Sequence, residues 1–329
     1  MARIPTHQLG SAGPPVSALA LGCMGMSGMY GPSDENESIA TVHAAIDAGI
    51  NLLDTGDFYG MGHNEMLLGR ALRGRRDQVL LSVKFGAMRT PGGAFIGVDG
   101  RPQAVRNFLS YSLRRLETDH VDIYRLSRLD PAVPIEDTVG AIADLIRLGY
   151  VRYAGLSEVG AATIRRAHAA HPVCDLQIEY SLASRGIEQA ILPAVRELGI
   201  AVTAYGVLSR GLLTGSQPAA AGDFRAHLPR FSGANGEQNR RPVAALADLA
   251  AEIGVTPAQL AIAWVLSKGS DIVPVIGART RSQLADSIGA LDLALSPGDI
   301  ARLETVFDAA PIAGTRYDAA QMSILDSER

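Results

Sequence analysis

Short apolar runs alternate with longer amphipathic stretches along most of the chain. Eight of the runs are typical of buried parallel strands, which are apolar throughout because both of their faces are covered. Each run ends in a glycine or a polar residue, as expected of a strand that delivers its last residues to a loop. The predicted strands cover residues 18–21, 50–53, 79–84, 121–126, 151–156, 176–179, 200–205 and 272–275.

The stretches between the runs have the periodicity of helices, and several carry terminal signals. Acidic residues at 34–37 precede the first helix, and Gly49 follows it. The predicted helices cover residues 38–48, 64–72, 102–116, 135–148, 161–170, 188–198, 242–253, 257–267, 282–290 and 297–307. We expect glycine-rich or irregular loops over residues 86–100 and 208–241.

This alternation predicts an α/β fold, namely a (β/α)8 TIM barrel with an N-terminal β-hairpin at residues 4–17 and extra C-terminal helices. The alternative is a doubly wound open sheet. That fold needs a Gly-x-Gly-x-x-Gly turn after an early strand, and G-C-M-G at residues 22–25 lacks this spacing. No break in composition divides the chain, so residues 1–329 are predicted to form one domain. We expect the polar tail from about residue 309 to be mobile.

Composition excludes several classes of function. The chain has 329 residues and a formal net charge of −4, so it has no basic footprint for nucleic acid. No apolar run approaches the roughly 18 residues of a membrane helix, and the polar N-terminus is not typical of a signal peptide. Cys23 and Cys174 lie far apart and imply no disulfide framework. The prediction is a cytoplasmic protein.

Three chemically complementary residues fall at the ends of two neighbouring strands. Asp54 ends one strand, Tyr59 follows in its loop, and Lys84 ends the next strand. Each alone is usually structural, as a turn former, a packing residue or a solvated charge. Together they predict a proton donor, because an ammonium beside a phenol favours the phenolate and lowers the pKa of the tyrosine.

Other strand ends agree with this location for the active face. In a barrel, polar residues at the carboxyl ends of strands indicate the active site. The further strand-end candidates are Ser157, Glu158, Tyr205 and Gly277. A metal-dependent hydrolase would need histidines and carboxylates clustered at these ends, and the chain presents no such cluster. We therefore predict no metal.

The order of these motifs resembles the aldo-keto reductases over residues 4–291. The similarity rests on L-G-C-M-G-M-S-x-x-Y-G at 21–31, N-L-L-D-T-x-D-x-Y-G-x-G-x-N-E at 51–65, S-V-K-F-G at 82–86, V-R-Y-A-G-L-S-E at 151–158, R-G-L-L-T-G at 210–215 and P-V-I-G-A-R at 274–279. The branch with pyridoxal reductases and general aldehyde reductases is the most similar. The resemblance implies a monomeric or loosely associated barrel that reduces a small carbonyl substrate with NADPH.

The resemblance assigns three members of a catalytic tetrad. Tyr59 would be the proton donor, Lys84 would lower its pKa, and Asp54 would fix the lysine. The fourth member is a histidine in a pattern like Q-H-R-x-D-P, but residues 126–131 read L-S-R-L-D-P. Ser127 therefore stands at the position of the histidine, which orients and polarises the carbonyl.

A serine hydroxyl is a shorter and weaker donor than the histidine it replaces. Losing one donor to the developing oxyanion typically costs about 10²–10³ in rate. A water or His63 could take over this role, or the substrate could bring its own polar group. The favoured hypothesis is a working reductase of unusual specificity. The alternative is an NADP(H)-binding sensor with vestigial chemistry, as the potassium-channel β subunits of this superfamily are thought to be.

The resemblance also implies a cofactor site. Tyr205 would stack on the nicotinamide, and Ser157 and Gln177 would bind its carboxamide. Arg210 would bind the pyrophosphate, and Arg279 would bind the 2′-phosphate, which favours NADPH; the alternative for Arg279 is a solvated charge at a helix start. The implied cofactor residues are Gly22, Cys23, Met24, Asp54, Ser157, Glu158, Gln177, Tyr205, Gly206, Leu208, Arg210, Gly211, Gly277, Arg279, Gln283 and Ser287.

Overall fold

A computed structural model describes residues 4–218 and 223–329. Its strands are β1 (Thr6–Gln8), β2 (Pro15–Ser17), β3 (Ala20–Gly22), β4 (Leu52–Gly56), β5 (Leu80–Phe85), β6 (Ala87–Arg89), β7 (Phe95–Val98), β8 (Val121–Leu126), β9 (Val151–Ser157), β10 (Val173–Glu179), β11 (Ala201–Tyr205) and β12 (Ile272–Gly277). Strands β3, β4, β5, β8, β9, β10, β11 and β12 pair in parallel in this order, and β12 pairs with β3 to close the barrel. The predicted (β/α)8 barrel is thus confirmed.

Helices surround the barrel and connect its strands. They are α1 (Glu35–Asp47), α2 (His63–Ala71), α3 (Pro102–Leu116), α4 (Ile135–Arg147), α5 (Ala161–Ala170), α6 (Ile191–Glu197), α7 (Gly233–Ile253), α8 (Pro257–Leu266), α9 (Arg281–Ile288), α10 (Pro297–Ala309) and α11 (Ala319–Ser323). Local sequence fixes several of their starts. For example, α8 begins with a capping box between Thr256 and Gln259 and has proline at its first position.

Two connections differ from the predicted loops. Residues 86–100 contain the antiparallel hairpin of β6 and β7. Helix α7 begins at Gly233 and continues through Pro242, which the prediction had taken as its start. The buried Asn239 explains the earlier start, because its side chain bonds to the carbonyl groups of Arg230 and Ala313 and fixes this first half of the helix. Residues 219–222 of the predicted 208–241 loop lie outside the described residues.

The N-terminal hairpin closes the amino-terminal end of the barrel. Strands β1 and β2 pair in antiparallel, and Leu9 and Val16 pack with barrel residues that include Leu52, Ile123 and Cys174. This inner cluster is separate from the larger one that joins the strands to the helices. With its lower end filled by apolar side chains, the barrel opens only toward the carboxyl ends of its strands.

A buried ion pair lies inside the barrel above this plug. The Arg125 and Asp175 side chains are fully buried and approach to 3.0 Å. Thr203 joins them, because its hydroxyl donates to Asp175 Oδ2 at 2.6 Å and accepts from Arg125 Nη1 at 3.1 Å. The charges on β8 and β10 therefore compensate each other across the barrel interior.

The C-terminal tail lies against the carboxyl end of the barrel. Arg316 is buried there, and Gly160 donates its N–H to Asp326 at 2.8 Å. The expected mobility of this tail stays a prediction. Among the described helices, none is by itself long and apolar enough to cross a membrane; α7 and α8 reach that length and apolar character only jointly, across a bend of 89°.

The internal ion pair leads to a prediction about stability. Asp175→Asn keeps the side-chain shape but leaves the Arg125 charge buried without its carboxylate. We expect the free energy of unfolding to fall by about 3–5 kcal/mol, measured by urea denaturation followed by circular dichroism. Glu136→Gln is the control, since it removes an exposed ion pair with Arg166 and should leave stability almost unchanged. Equal losses in the two variants would contradict the importance of burial.

Candidate active site

The floor of the open end is a buried ion pair between neighbouring strands. Lys84 Nζ on β5 donates to Asp54 Oδ2 on β4 at 2.6 Å, and the two residues are 4% and 5% exposed. The other carboxylate oxygen, Oδ1, accepts from Ser82 Oγ at 3.1 Å and from Gln177 Nε2 at 2.8 Å. Both oxygens of Asp54 are thus bonded, so the position of Lys84 is fixed.

The loop after β4 returns Tyr59 to this ion pair. Gly60, Met61 and Gly62 all adopt left-handed backbone, with φ of 58°, 56° and 92°. A side chain on Gly60 would also collide with Ser27, because its Cβ would lie 2.9 Å from the Cβ of that serine. The resulting tight turn leaves Tyr59 buried, with its ring centroid 5.1 Å from Lys84 Nζ.

The direction of the Tyr59 pKa differs from the prediction. Burial raises the pKa of Tyr59 well above its ordinary value, and the Asp54 carboxylate raises it further. Among the charges that act on the phenol, Arg128 lowers the pKa. The predicted net lowering by Lys84 is wrong for this structure, because Asp54 compensates the ammonium at hydrogen-bond distance. Tyr59 is therefore a protonated donor at neutral pH.

Ser127 lies beside this group with an unused hydroxyl. Its N–H donates to the Phe85 carbonyl at 2.8 Å, which places the residue at the end of β8. The residue is 2% exposed, and its Oγ has no hydrogen-bond partner within the described part of the chain. Unsatisfied buried hydroxyls are rare and commonly mark a ligand position. His63 does not replace the histidine, because its ring bonds Ser27 and Glu35 away from the cleft.

These residues line a cleft of about 540 Å³ at the carboxyl end of the barrel. Every predicted site residue contributes to its lining except Cys23 and Glu158. Cys23 is fully buried beneath the surface, and burial raises the pKa of its thiol far above the ordinary value. Glu158 is also fully buried and pairs with Arg316 at 2.6 Å. The predicted cofactor contacts of these two side chains therefore do not match the shape of the cleft.

The C-terminal tail supplies part of the cleft wall, which sequence reasoning missed. Arg316 donates to both carboxylate oxygens of Glu158, at 2.8 and 2.6 Å. Burial acts to raise the pKa of Glu158, but the Arg316 charge outweighs it and lowers the pKa to about 2. Tyr317 follows, with its hydroxyl 3.0 Å from Tyr205 Oη and its ring centroid 4.5 Å from Arg210 Cζ. The polar tail sequence carries no periodic signal that indicates these contacts.

The cleft is rich in arginine near the ends of β11 and β12. Arg210 pairs with the buried Glu179 at 2.9 Å and stands in left-handed backbone with φ of 58°. Such strained conformations are frequent at ligand sites. Among the described residues, the hydrogen-bond acceptors of the Arg279 guanidinium are the carbonyls of Tyr30 and Pro32, at 3.0 and 3.3 Å. Its charge is therefore uncompensated by any carboxylate at ion-pair distance.

This lining fits a phosphorylated dinucleotide better than a metal ion. An uncompensated guanidinium matches a phosphate group, and the Tyr205 ring, Ser157 and Gln177 offer an aromatic face and polar contacts for a nicotinamide. Between residues 4–218 and 223–329, no group of three or more His, Cys, Asp or Glu side chains could hold a metal.

Sequence comparison agrees with the geometry of the cleft. The sequence profile described as "Aldo/keto reductase family" matches residues 18–308. A curated relative, "Probable aldo-keto reductase 1" from Glycine max, is 41% identical over 325 residues, which cover 96% of this chain and 92% of the relative.

Solved structures share the whole architecture. The glycerol dehydrogenase AKR11B4 from Gluconobacter oxydans superposes with a TM-score of 0.84 at 27% identity, covering 96% of this chain and 98% of that one. The thermostable aldo-keto reductase Tm1743, solved with the inhibitor epalrestat, gives a TM-score of 0.73 at 25% identity over 92% of this chain and 100% of its own. The chain therefore belongs to the aldo/keto reductase family of oxidoreductases.

Proposed function

We propose that this protein reduces an aldehyde or ketone to the alcohol with NADPH, and that Tyr59 donates the proton. The observation that carries the proposal is the protonated Tyr59 next to the buried Lys84–Asp54 pair, in a cleft that also contains the unpartnered Ser127 hydroxyl. A proton donor and a second hydrogen-bond donor can thus reach one carbonyl oxygen. Whether the substrates are those of pyridoxal reductases stays a prediction.

Reduced nicotinamide, when bound, supplies the electron pair and the hydrogen for the carbonyl carbon. Tyr59 Oη–H then gives its proton to the carbonyl oxygen as negative charge develops there. The Lys84 ammonium stabilises the phenolate that remains, and Asp54 keeps that ammonium in place. Ser127 Oγ, free of other partners within the described residues, donates a hydrogen bond to the same oxygen. Solvent later returns the proton to Tyr59.

The cofactor would lie across the cleft from this centre toward β12. Ser157 and Gln177 would hold the carboxamide; Gln177 Nε2 already donates to Asp54, so its Oε1 is the atom available to accept. The Tyr205 hydroxyl donates to Glu158 at 2.7 Å, which fixes the ring that would stack on the nicotinamide. Arg279 would bind the 2′-phosphate, which gives the preference for NADPH.

Removing the Tyr59 hydroxyl separates a reductase from a nucleotide-binding sensor. In Tyr59→Phe we expect kcat for aldehyde reduction to fall by about 10²–10⁴, because the proton donor is lost. The Kd for NADPH, measured by fluorescence titration, should stay unchanged. Tyr153→Phe, in β9 and outside the cleft lining, is the control and should retain full turnover. Unchanged turnover in Tyr59→Phe would exclude the proposed mechanism.

The choice of cofactor depends on the charge of Arg279. Arg279→Gln should raise the Kd for NADPH about tenfold or more and leave the Kd for NADH almost unchanged, because NADH lacks the 2′-phosphate. Fluorescence titration with both nucleotides measures the effect. The matched control is Arg281→Gln, two residues away, whose side chain is exposed and pairs with Glu37 at 2.8 Å. Equal weakening of NADPH and NADH would refute the assignment.

Ser127 should limit the rate with simple aldehydes. We expect Ser127→His to raise kcat for a generic aromatic aldehyde by up to about 10²–10³, because it restores a stronger donor to the carbonyl oxygen. Ser127→Ala, which has no donor, is the comparison and should be slower than the wild type. A wild type that binds NADPH but reduces no aldehyde, together with an active histidine variant, would favour the sensor alternative.

A further inference from the structure

The cleft carries more positive than negative charge. Among the described residues that line it, the cations are Lys84, Arg89, Arg128, Arg210, Arg225 and Arg279, and the acids are Asp54 and Asp286. Three of the cations have carboxylate partners: Lys84 pairs with Asp54, Arg210 with Glu179, and Arg225 with Asp223. The side chains of Arg89, Arg128 and Arg279 hydrogen-bond to neutral groups instead.

These three arginines lie at two different ends of the cleft. Arg279 follows β12 and belongs to the proposed phosphate end. Arg128 follows β8, which is four strands from β12 in either direction around the eight-stranded barrel, so the two stand on opposite sides. Arg89 is in β6, directly after β5, the neighbour of β8. A cofactor phosphate at Arg279 therefore leaves the charges of Arg89 and Arg128 uncompensated.

Arg128 is placed to bind an anion. Its Nη1 donates to the Ser127 carbonyl at 2.6 Å and its Nη2 to the Tyr317 hydroxyl at 3.2 Å, which use two of its five N–H donors. The acid that acts on it, Glu158, is already bonded by Arg316 through both carboxylate oxygens. The half-buried guanidinium thus faces the cleft with its orientation fixed and donors to spare.

Arg89 adds positive charge at the same end. Its Nη1 donates to the Gly93 carbonyl at 2.8 Å, while its buried Nε has no partner in the part of the chain that the structure describes. The acid that acts on it is Asp57. Burial and the neighbouring Glu65 raise the pKa of Asp57 to about 7, so this carboxyl is only partly charged at neutral pH and compensates Arg89 weakly.

We propose that the cleft is specific for carbonyl compounds that also carry a carboxylate, such as formyl or oxo acids. Arg128 binds the carboxylate through its free N–H donors, and Arg89 increases the positive potential at that end. A planar guanidinium fork matches the two carboxylate oxygens, and partial burial strengthens the contact. The inference rests on the proposed reductase function, since it names the substrate class of the same site.

The test compares 4-formylbenzoate with its methyl ester, which has the same ring and aldehyde but no charge. We expect the wild type to prefer the acid in kcat/KM. Arg128→Met should reduce the acid-to-ester ratio of kcat/KM by about 30-fold, mainly through KM for the acid, because a charge-assisted contact is lost. Arg128→Lys should recover part of this ratio, since it keeps the charge without the fork. Arg89→Gln should reduce it less.

The matched control is Arg73→Gln, which removes an exposed arginine that pairs with Glu117 outside the cleft. It should leave the ratio unchanged. A wild type without preference for the acid, or an Arg128→Met variant that loses both substrates equally, would overturn the proposal.

A binding measurement separates this inference from the proposed function. Calorimetry of 4-formylbenzoate and its ester with the NADP⁺-loaded protein, and with the protein alone, needs no turnover. Tighter binding of the acid that Arg128→Met abolishes supports the substrate class even if the protein reduces neither aldehyde, in which case the reductase function fails alone. Equal affinities for acid and ester in the wild type reject the substrate class even if both aldehydes are reduced.

Discussion

The buried ion pair of Lys84 and Asp54 is the constraint on which the open end of the barrel depends. Two charges removed from water are tolerated only when each is compensated, and breaking such a pair typically costs about 3–5 kcal/mol. Here Ser82 and Gln177 complete the bonding of the carboxylate, so β4, β5 and β10 are held in one arrangement. Tyr59 acquires its position from that arrangement and from the turn that follows it, while its protonation reflects burial.

The barrel interior is organised in layers. Apolar hairpin and strand residues fill the lower end, the Arg125–Asp175 pair lies above them, and the Lys84–Asp54 pair forms the floor of the cleft. Burial lowers the pKa of Lys84, Asp54 opposes this, and the charge of Arg125 lowers it slightly further. The two ion pairs are therefore not independent, and the packing that closes one end of the barrel also sets the electrostatics at the other.

The sequence indicates those features that depend on local patterns. Apolar runs and helix signals predicted the barrel, and because parallel strands end on one face, they also brought Asp54, Lys84, Ser127 and Gln177 together. Features that depend on distant contacts were missed. Helix α7 begins early because Asn239 bonds to residues elsewhere in the chain, and the pKa of Tyr59 depends on how deeply the fold buries it. Arg128 was visible at a strand end, but its lack of a carboxylate partner is known only from the assembled cleft.

The wall that the tail contributes has a consequence for how this protein is made and how it diverges. Glu158 meets Arg316 across 158 residues of sequence, so a ribosome completes the barrel and its reacting groups well before the residues that finish the wall. A nascent chain would pass through a stage with the chemistry assembled and the cleft still open. In evolution, the same separation allows substitutions at Arg316 and Tyr317 to reshape the cleft without any change in the strands that hold the proton donor.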